Sequence, residues 1–283
     1  MANLHEQFLD FDEKLNITTS KQQKLKISEK NIKNNIKKYF LKYPNFKFSM
    51  VRQGSYSLGT MIRTKSDYCD IDFGLRFFPF PNPTPITLQK YVKEALTSIN
   101  QSSPVCKNKC IRIKYKGDYH LDITIYGLKG LSQTPFLATR NGWEESDPSK
   151  FKKWFDEKGN NNLHQLRRIV KYIKAWSDFK GRGLLKGIVI TVLVAECFIP
   201  KKRDDLALKE TIEKIFYKLK EDWLCKKPVY PFEVLMDISN NIHSEMILTK
   251  LNYFIRDADI AILNKTDKHQ AKILWKRHLG KYF

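Results

Sequence analysis

The chain is poor in cysteine and has no cysteine pair at metal or redox spacing. Its five cysteines, Cys69, Cys106, Cys110, Cys197 and Cys225, form no Cys-x-x-Cys and leave one odd, which speaks against a disulfide framework and a zinc module and fits a reducing compartment. A long apolar run is also missing. The longest, residues 187–200, contains Glu196 and is shorter than the roughly 20 residues of a bilayer crossing. The opening Met-Ala-Asn-Leu-His-Glu-Gln has no basic-then-apolar signal pattern, so the expectation is a soluble, cytoplasmic protein with no membrane attachment. No internal repeat or low-complexity segment stands out. Acidic residues are the scarcer charge, 30 against 51 basic, a net charge of +21 that favours contact with polyanions such as nucleotides or nucleic acid. Residues 1–150 carry 24 basic and 14 acidic side chains (+10) and residues 151–283 carry 27 and 16 (+11), so no single tail holds the excess. A solvated lysine-rich surface is the other account of such scatter.

What is present, 42% hydrophobic residues in 283, suffices for a substantial core, either one large domain or two lobes sharing a cleft. Ser20-Lys21-Gln22-Gln23 has the form of a capping box, and Leu25, Ile32, Ile36 and Tyr39/Phe40 then follow one stripe until Pro44, predicting a long amphipathic helix. Residues 46–52 read as a strand, Gly54-Ser55 as a tight turn into a short helix, and Ile71, Phe73 and Leu75 as the apolar face of a second strand. A proline-rich loop from Pro79 to Pro85 precedes a helix over residues 88–99. Ile111, Ile113 and Tyr115 then alternate with basic residues, Gly117-Asp118 turns the chain, and Leu121, Ile123 and Ile125 line a third strand. From about Pro148 helical periods take over, at 163–178, 188–198, 206–223 and 265–278. The expected division is a core lobe over 1–148 and a helical lobe over 149–283.

Alternation places Asp70 and Asp72 on one strand face, side by side, at a repulsive cost that a divalent cation would remove. Gly54 permits close backbone approach to an anion, and Ser55 adds a hydroxyl at a helix start. A lone Gly-Ser or a lone Asp-x-Asp reads as a polar cap or an acidic strand edge. In this order and spacing the two together point to a phosphate and its metal. Asp122, on the polar face of an otherwise apolar strand, supplies the third carboxylate that a two-metal site needs. In the 163–178 helix Val170, Ile173 and Trp176 fall on the buried side, while Lys171 and Lys174 are each candidates to reach a triphosphate or are merely solvated lysines of an amphipathic helix.

Gln53-Gly54-Ser55-x-x-x-Gly59-Thr60, then Asp70-x-Asp72, Asp122 and Lys174-Ala175-Trp176, resemble the nucleotidyltransferases that include cyclic GMP-AMP synthase, the oligoadenylate synthases and the bacterial CD-NTases of anti-phage signalling. The form Gln-Gly-Ser-Tyr-Ser-Leu-Gly-Thr-Met-Ile-Arg is nearest the bacterial branch. The resemblance implies an α+β fold: a polymerase-β-like core with a mixed sheet and flanking helices, a C-terminal helical lobe, and an active site in the cleft between them. It implies that Gly54 and Ser55 hold the β- and γ-phosphates of the donor, that Asp70, Asp72 and Asp122 hold two Mg2+ ions replaceable by Mn2+, that Lys174 contacts the triphosphate, and that Gln53 lines the site. Where relatives place Ser, Tyr or Gln at the start of the next helix, this chain has Lys186-Gly187, with Lys186 as the substitute. The zinc-bearing insertion of the animal enzyme has no counterpart among these cysteine spacings.

The implied reaction is attack of a ribose hydroxyl on the α-phosphorus of a nucleoside triphosphate, ATP and/or GTP with pyrimidine triphosphates also open, repeated to close a cyclic di- or trinucleotide for a downstream sensing effector, without template or nucleic acid. Two other classes stand beside it: a nucleotidyltransferase that modifies an RNA or protein partner, and a catalytically silent nucleic-acid-binding protein, against which the intact Asp70, Asp72 and Asp122 argue. Tyr230, Phe232 and Tyr253 read equally as base-facing or core aromatics.

Overall fold

Apolar side chains at alternate positions from Ile71 to Phe77 and from Leu121 to Ile125 can all leave water if the two segments pair with one face turned to helices, and the computed structural model arranges them so. The structure describes residues 2–97, 103–115, 119–130, 133–181, 184–237, 241–263 and 267–283. In chain order the elements are α1 (His5–Leu15), α2 (Thr19–Phe40), β1 (Phe48–Gln53), α3 (Gly54–Leu58), β2 (Cys69–Phe77), α4 (Pro85–Leu96), β3 (Val105–Cys106), β4 (Ile111–Tyr115), β5 (Tyr119–Gly127), β6 (Phe136–Thr139), β7 (Gly142–Glu145), α5 (Pro148–Gly159), α6 (Leu163–Gly181), α7 (Gly187–Cys197), α8 (Asp204–Glu221), β8 (Cys225–Lys226), β9 (Val234–Met236), α9 (Asn241–Leu263) and α10 (Lys268–Leu279). The chain divides into two compact units: residues 17–61 with 66–150, and residues 1–16 with 62–65 and 151–283.

The first unit is a mixed sheet in the order β1-β2-β5-β4-β3, extended by β6 and β7 from the far end of β5. Only β2 and β5 pair in parallel among the described strands of this sheet. The connection between them carries α4. Leu25, Ile32, Ile36 and Phe40 of α2 and Leu88, Val92 and Leu96 of α4 share one core with Phe73, Leu75, Phe77, Ile111, Ile113, Leu121 and Ile123. Each such side chain contributes about 1.5–3 kcal/mol of burial. The helix cap is Thr18, whose extended backbone lets its hydroxyl accept from the Lys21 amide at 3.3 Å; the expected cap, Ser20, is instead the second residue of the helix. The helix expected over 88–99 begins three residues earlier, because Thr84 caps it and Pro85 occupies the first turn, where a missing N–H costs nothing. Its expected end and the Gly117-Asp118 turn lie outside the described residues.

In the second unit α6 is nearly surrounded: Leu166, Ile169, Val170, Tyr172, Ile173 and Trp176 are buried. Phe8 and Phe11 of α1 meet Tyr172 with ring centroids 5.2 and 5.4 Å apart, and both also contact Phe283. The first sixteen residues, placed with the core lobe from sequence, therefore pack with the helical unit, because their aromatic face is completed by α6 and the C-terminus. The last helix starts at Lys268, capped by Asp267, which accepts from the Gln270 amide at 2.8 Å; residues 264–266 lie outside the described set. No described helix is long and apolar enough to cross a membrane.

Candidate active site

The site begins with register. Gln53 of β1 pairs with Asp72 of β2, Asp72 with Asp122 of β5, and Asp122 with Arg112 of β4. Strands about 4.8 Å apart thus place these four side chains in one row on the sheet face away from α2 and α4. Asp70 opens the next row, opposite His120, whose Nδ1 lies 3.2 Å from Asp70 Oδ1. Asp72 and Asp122 are fifty residues apart in sequence and become direct neighbours in the parallel β2–β5 pair, whose connection requires a long crossover.

Gly54 stands over this row. Its φ is +59°, and a Cβ there would collide with the Asp72 carboxylate, so glycine is demanded twice, by the backbone and by the space. Ser55 follows, partly exposed, and its carbonyl accepts from the Thr60 amide at 2.9 Å, closing the Gly-Ser turn on itself. Gln53 departs from expectation. It is buried, its Oε1 accepts from the hydroxyls of Thr124 at 2.9 Å and Tyr126 at 3.4 Å, and its amide lies over Gly74, so it props the sheet face instead of lining an open site.

The carboxylates differ in setting. Asp70 is the most exposed, with 61% of its side chain accessible. Asp122 is buried and held by a two-pronged contact, Arg112 Nε donating to Oδ1 at 2.7 Å and Nη2 to Oδ2 at 2.6 Å. That pair raises the guanidinium pKa further. Burial, with Asp122 and Asp72 nearby, pushes the Cys110 thiol up to about 12, so it is protonated beside the row. Burial and the charge of Asp70 likewise raise the Tyr68 phenol to about 12, and its ring stands edge-on to His120 at 4.7 Å. Arg112, His120, Tyr68 and Cys110 were not singled out from sequence. Arg112 and His120 are legible only in retrospect, at the strand positions opposite Asp122 and Asp70.

Among the described residues no group of three or more His, Cys, Asp or Glu side chains is arranged to hold a metal ion. The donor set itself, three hard carboxylates on adjacent registers, fits a small divalent cation by its chemistry. As oriented, however, Asp122 is spent on Arg112, and Asp70 leans on His120.

The three expected lysines lie in the helical unit. Lys171 is a correction: it is buried, forms an ion pair with Asp12 Oδ1 at 2.6 Å and donates to Asn16 Oδ1 at 3.0 Å, so α1 has taken it out of any phosphate role. Lys174, on the same helix, is partly exposed, and its Cε lies 3.7 Å from where a Cβ on Gly187 would stand. Lys186 is the exposed N-cap residue of α7, with no side-chain cap on that helix. The structure thus brings Lys174 beside Gly187, at the N-terminus of the helix that Lys186 precedes, whose first N–H groups favour anions. Tyr230, Phe232 and Tyr253 are at least half exposed, which excludes them from the core.

Residues 46–126, which hold β1 through most of β5, match the family model described as the nucleotidyltransferase domain of cyclic GMP-AMP synthase DncV-like proteins. The chain is 29% identical over 194 residues to a cyclic GMP-AMP synthase of Escherichia albertii, a match over 62% of this chain and 43% of that protein. It is 26% identical over 218 residues to a c-di-GMP synthase of Roseivirga ehrenbergii, over 64% and 56%. The chain thus matches about half the length of these curated relatives. In structure it resembles Vibrio cholerae DncV cyclic AMP-GMP synthase in complex with the linear intermediate 5′-pppA(3′,5′)pG, with TM-score 0.85, 17% identity and coverage of 99% and 96%. It also resembles the 3′-deoxy GTP bound form of Escherichia coli DncV, with TM-score 0.78, 19% identity and coverage of 95% and 93%. Sequence over the core and likeness in fold agree: residues 46–126 match the DncV-like nucleotidyltransferase domain, and the chain has the fold of DncV.

Proposed function

We propose that this protein is a template-independent nucleotidyltransferase that joins nucleoside triphosphates into a cyclic di- or trinucleotide, serving as a second messenger for an effector in anti-phage defence. The observation that carries this reading is the pairing of Asp72 with Asp122 in the parallel register beneath Gly54, within the stretch that matches the family model. The relatives, a cyclic GMP-AMP synthase and a c-di-GMP synthase, support the product class and favour ATP and GTP as substrates.

In this reading Gly54 and Ser55 hold the donor's outer phosphates through backbone N–H groups and the Ser55 hydroxyl. Lys174 and Lys186, with the first turn of α7, neutralise the triphosphate. Asp70, Asp72 and Asp122 are the groups that would hold two Mg2+ ions, which lower the pKa of an attacking ribose hydroxyl and neutralise the leaving pyrophosphate when bound. Asp70, the most exposed carboxylate, accepts contact from the nucleotide side; Asp122, walled by Arg112 and Cys110, lies deeper. Turning the linear intermediate over and repeating the transfer closes the ring.

Incubating the protein with all four ribonucleoside triphosphates and Mg2+ or Mn2+, followed by mass spectrometry, tests this. A soluble cyclic product is expected. The net charge of +21 favours one rival, transfer onto an RNA or protein; a labelled polymer with no soluble cyclic product would establish it in place of the messenger function.

A further inference from the structure

We propose that Arg112 is a positioning residue that competes with a divalent cation for Asp122, holding the carboxylate until the cation arrives and releasing it on binding. The inference rests on reading Asp122 as a ligand. Both Asp122 oxygens are engaged by the guanidinium, at 2.7 and 2.6 Å, from the directly opposite position on β4. A carboxylate gripped at both oxygens presents few lone pairs to a cation, and a cation placed there would sit beside a fixed positive charge.

The two partners are unequally free to move. Asp122 keeps 12% of its side chain accessible and is anchored in a central strand, whereas Arg112 keeps 30%. Arg112 is therefore the one with room to swing to solvent, and Asp122 is the one that stays. Without a cation the arrangement also has a purpose. Asp70, Asp72 and Asp122 repel each other on adjacent registers, and Arg112 supplies the permanent positive charge that lets the row exist unloaded.

The test is cation binding with no nucleotide present. Mn2+ is titrated into the full chain and followed by the free-ion electron paramagnetic resonance signal, and thermal unfolding is recorded with and without Mn2+. Arg112→Gln is expected to bind Mn2+ about tenfold tighter than the parent, since one neighbouring positive charge is gone. It should unfold at lower temperature without Mn2+ and show a larger stabilisation with it. Arg112→Lys, which keeps charge but not the planar fork, should fall between the two and guards against misfolding of the Gln variant. Unchanged or weaker Mn2+ binding in both variants would overturn the proposal, since a merely structural arginine predicts no gain. Asp122→Asn separates the two levels. Weakened Mn2+ binding there, without a gain in the Arg112 variants, removes this proposal alone, whereas no effect of Asp122→Asn removes the ligand reading and this proposal with it.

Discussion

At the scale of single residues, Gly54 and Lys171 make the sharpest contrast. Gly54→Ala must place a Cβ where the Asp72 carboxylate stands, from a backbone at φ +59° that costs an L-residue about 1–2 kcal/mol. Displacing a reacting group by an ångström costs on the order of 100-fold in rate, so product formation should drop by about that factor with only modest loss of stability. A variant that keeps near-parental turnover would remove Gly54 from the site. Lys171→Ala should do the reverse. It leaves Asp12 without its cation, and breaking a buried pair costs about 3–5 kcal/mol, the lower end applying here because Asp12 keeps a fifth of its side chain exposed. Denaturant titration should register that loss, whereas Lys174→Ala should raise the apparent KM for triphosphate and leave the unfolding midpoint in place. Equal effects of the two lysines on KM would contradict the assignment. Asp70→Asn with Asp72→Asn should abolish product while leaving the melting temperature unchanged or slightly higher, because carboxylate repulsion is relieved; a product peak surviving in mass spectra of that variant would sink the metal reading.

Among the elements, the packing of α10 on α9 should respond to pH. Burial lowers the pKa of His278, only partly offset by Asp257, whose Oδ2 lies 2.8 Å from its Nε2, while the ring stacks on Phe254 at 4.5 Å. A histidine whose folded pKa is depressed binds its proton more readily unfolded. Its contribution is therefore complete above about pH 6.5 and is lost as pH falls below that value. Melting temperature should decline from pH 7 to 5, and His278→Gln should flatten that segment of the curve; a parallel decline in the variant would assign the effect elsewhere. Further down in pH, Asp204 takes over. Burial pushes its pKa up, yet hydrogen bonds from Arg168, Gln165 and Tyr172 prevail and hold it below the usual carboxylate range. Its share of stability is present above about pH 4 and disappears as pH falls through the depressed value. The same elements show which periodicities were readable. α2, α6, α7 and α8 each present a stripe or a run that was read from the apolar spacing, whereas α1, with Phe8, Phe11 and Leu15, and α9, with Ile247, Leu251, Phe254, Ala258 and Ile262, carry such spacing but were not read from it. The eleven residues of α1 carry an aromatic face that makes sense only against Tyr172, Trp275 and Phe283. The short strands β6 and β7 are too brief for alternation to identify.

For the whole molecule the question is what a charge of +21 is for. If it draws in triphosphates, raising salt should slow synthesis modestly, because few phosphates are neutralised. A polymer track would instead give a log–log salt slope of about −0.7 to −0.9 per contacted phosphate. The shallow dependence is expected, with added RNA left unlabelled; a steep slope together with labelled RNA would favour the polymer-modifying reading.

The sequence alone determined whatever depends on a few neighbouring bonds. Asp70 and Asp72 share a face because strand side chains repeat every two residues, Gly54 is glycine because the turn needs a left-handed backbone, and the long helix ends near Pro44 because proline cannot continue it. Tertiary structure decided everything that depends on which distant segment comes alongside. Asp122 meets Asp72 through a parallel register, Arg112 meets Asp122 across the next strand, and Asp12 reaches Lys171 from 159 residues away. A strand's alternation names the residues on a face but not their opposite numbers, and a long lysine on a helix carries no mark of the carboxylate that will claim it. Those choices are made by burial of the whole core, in which each pairing is settled by the elements that must be covered around it.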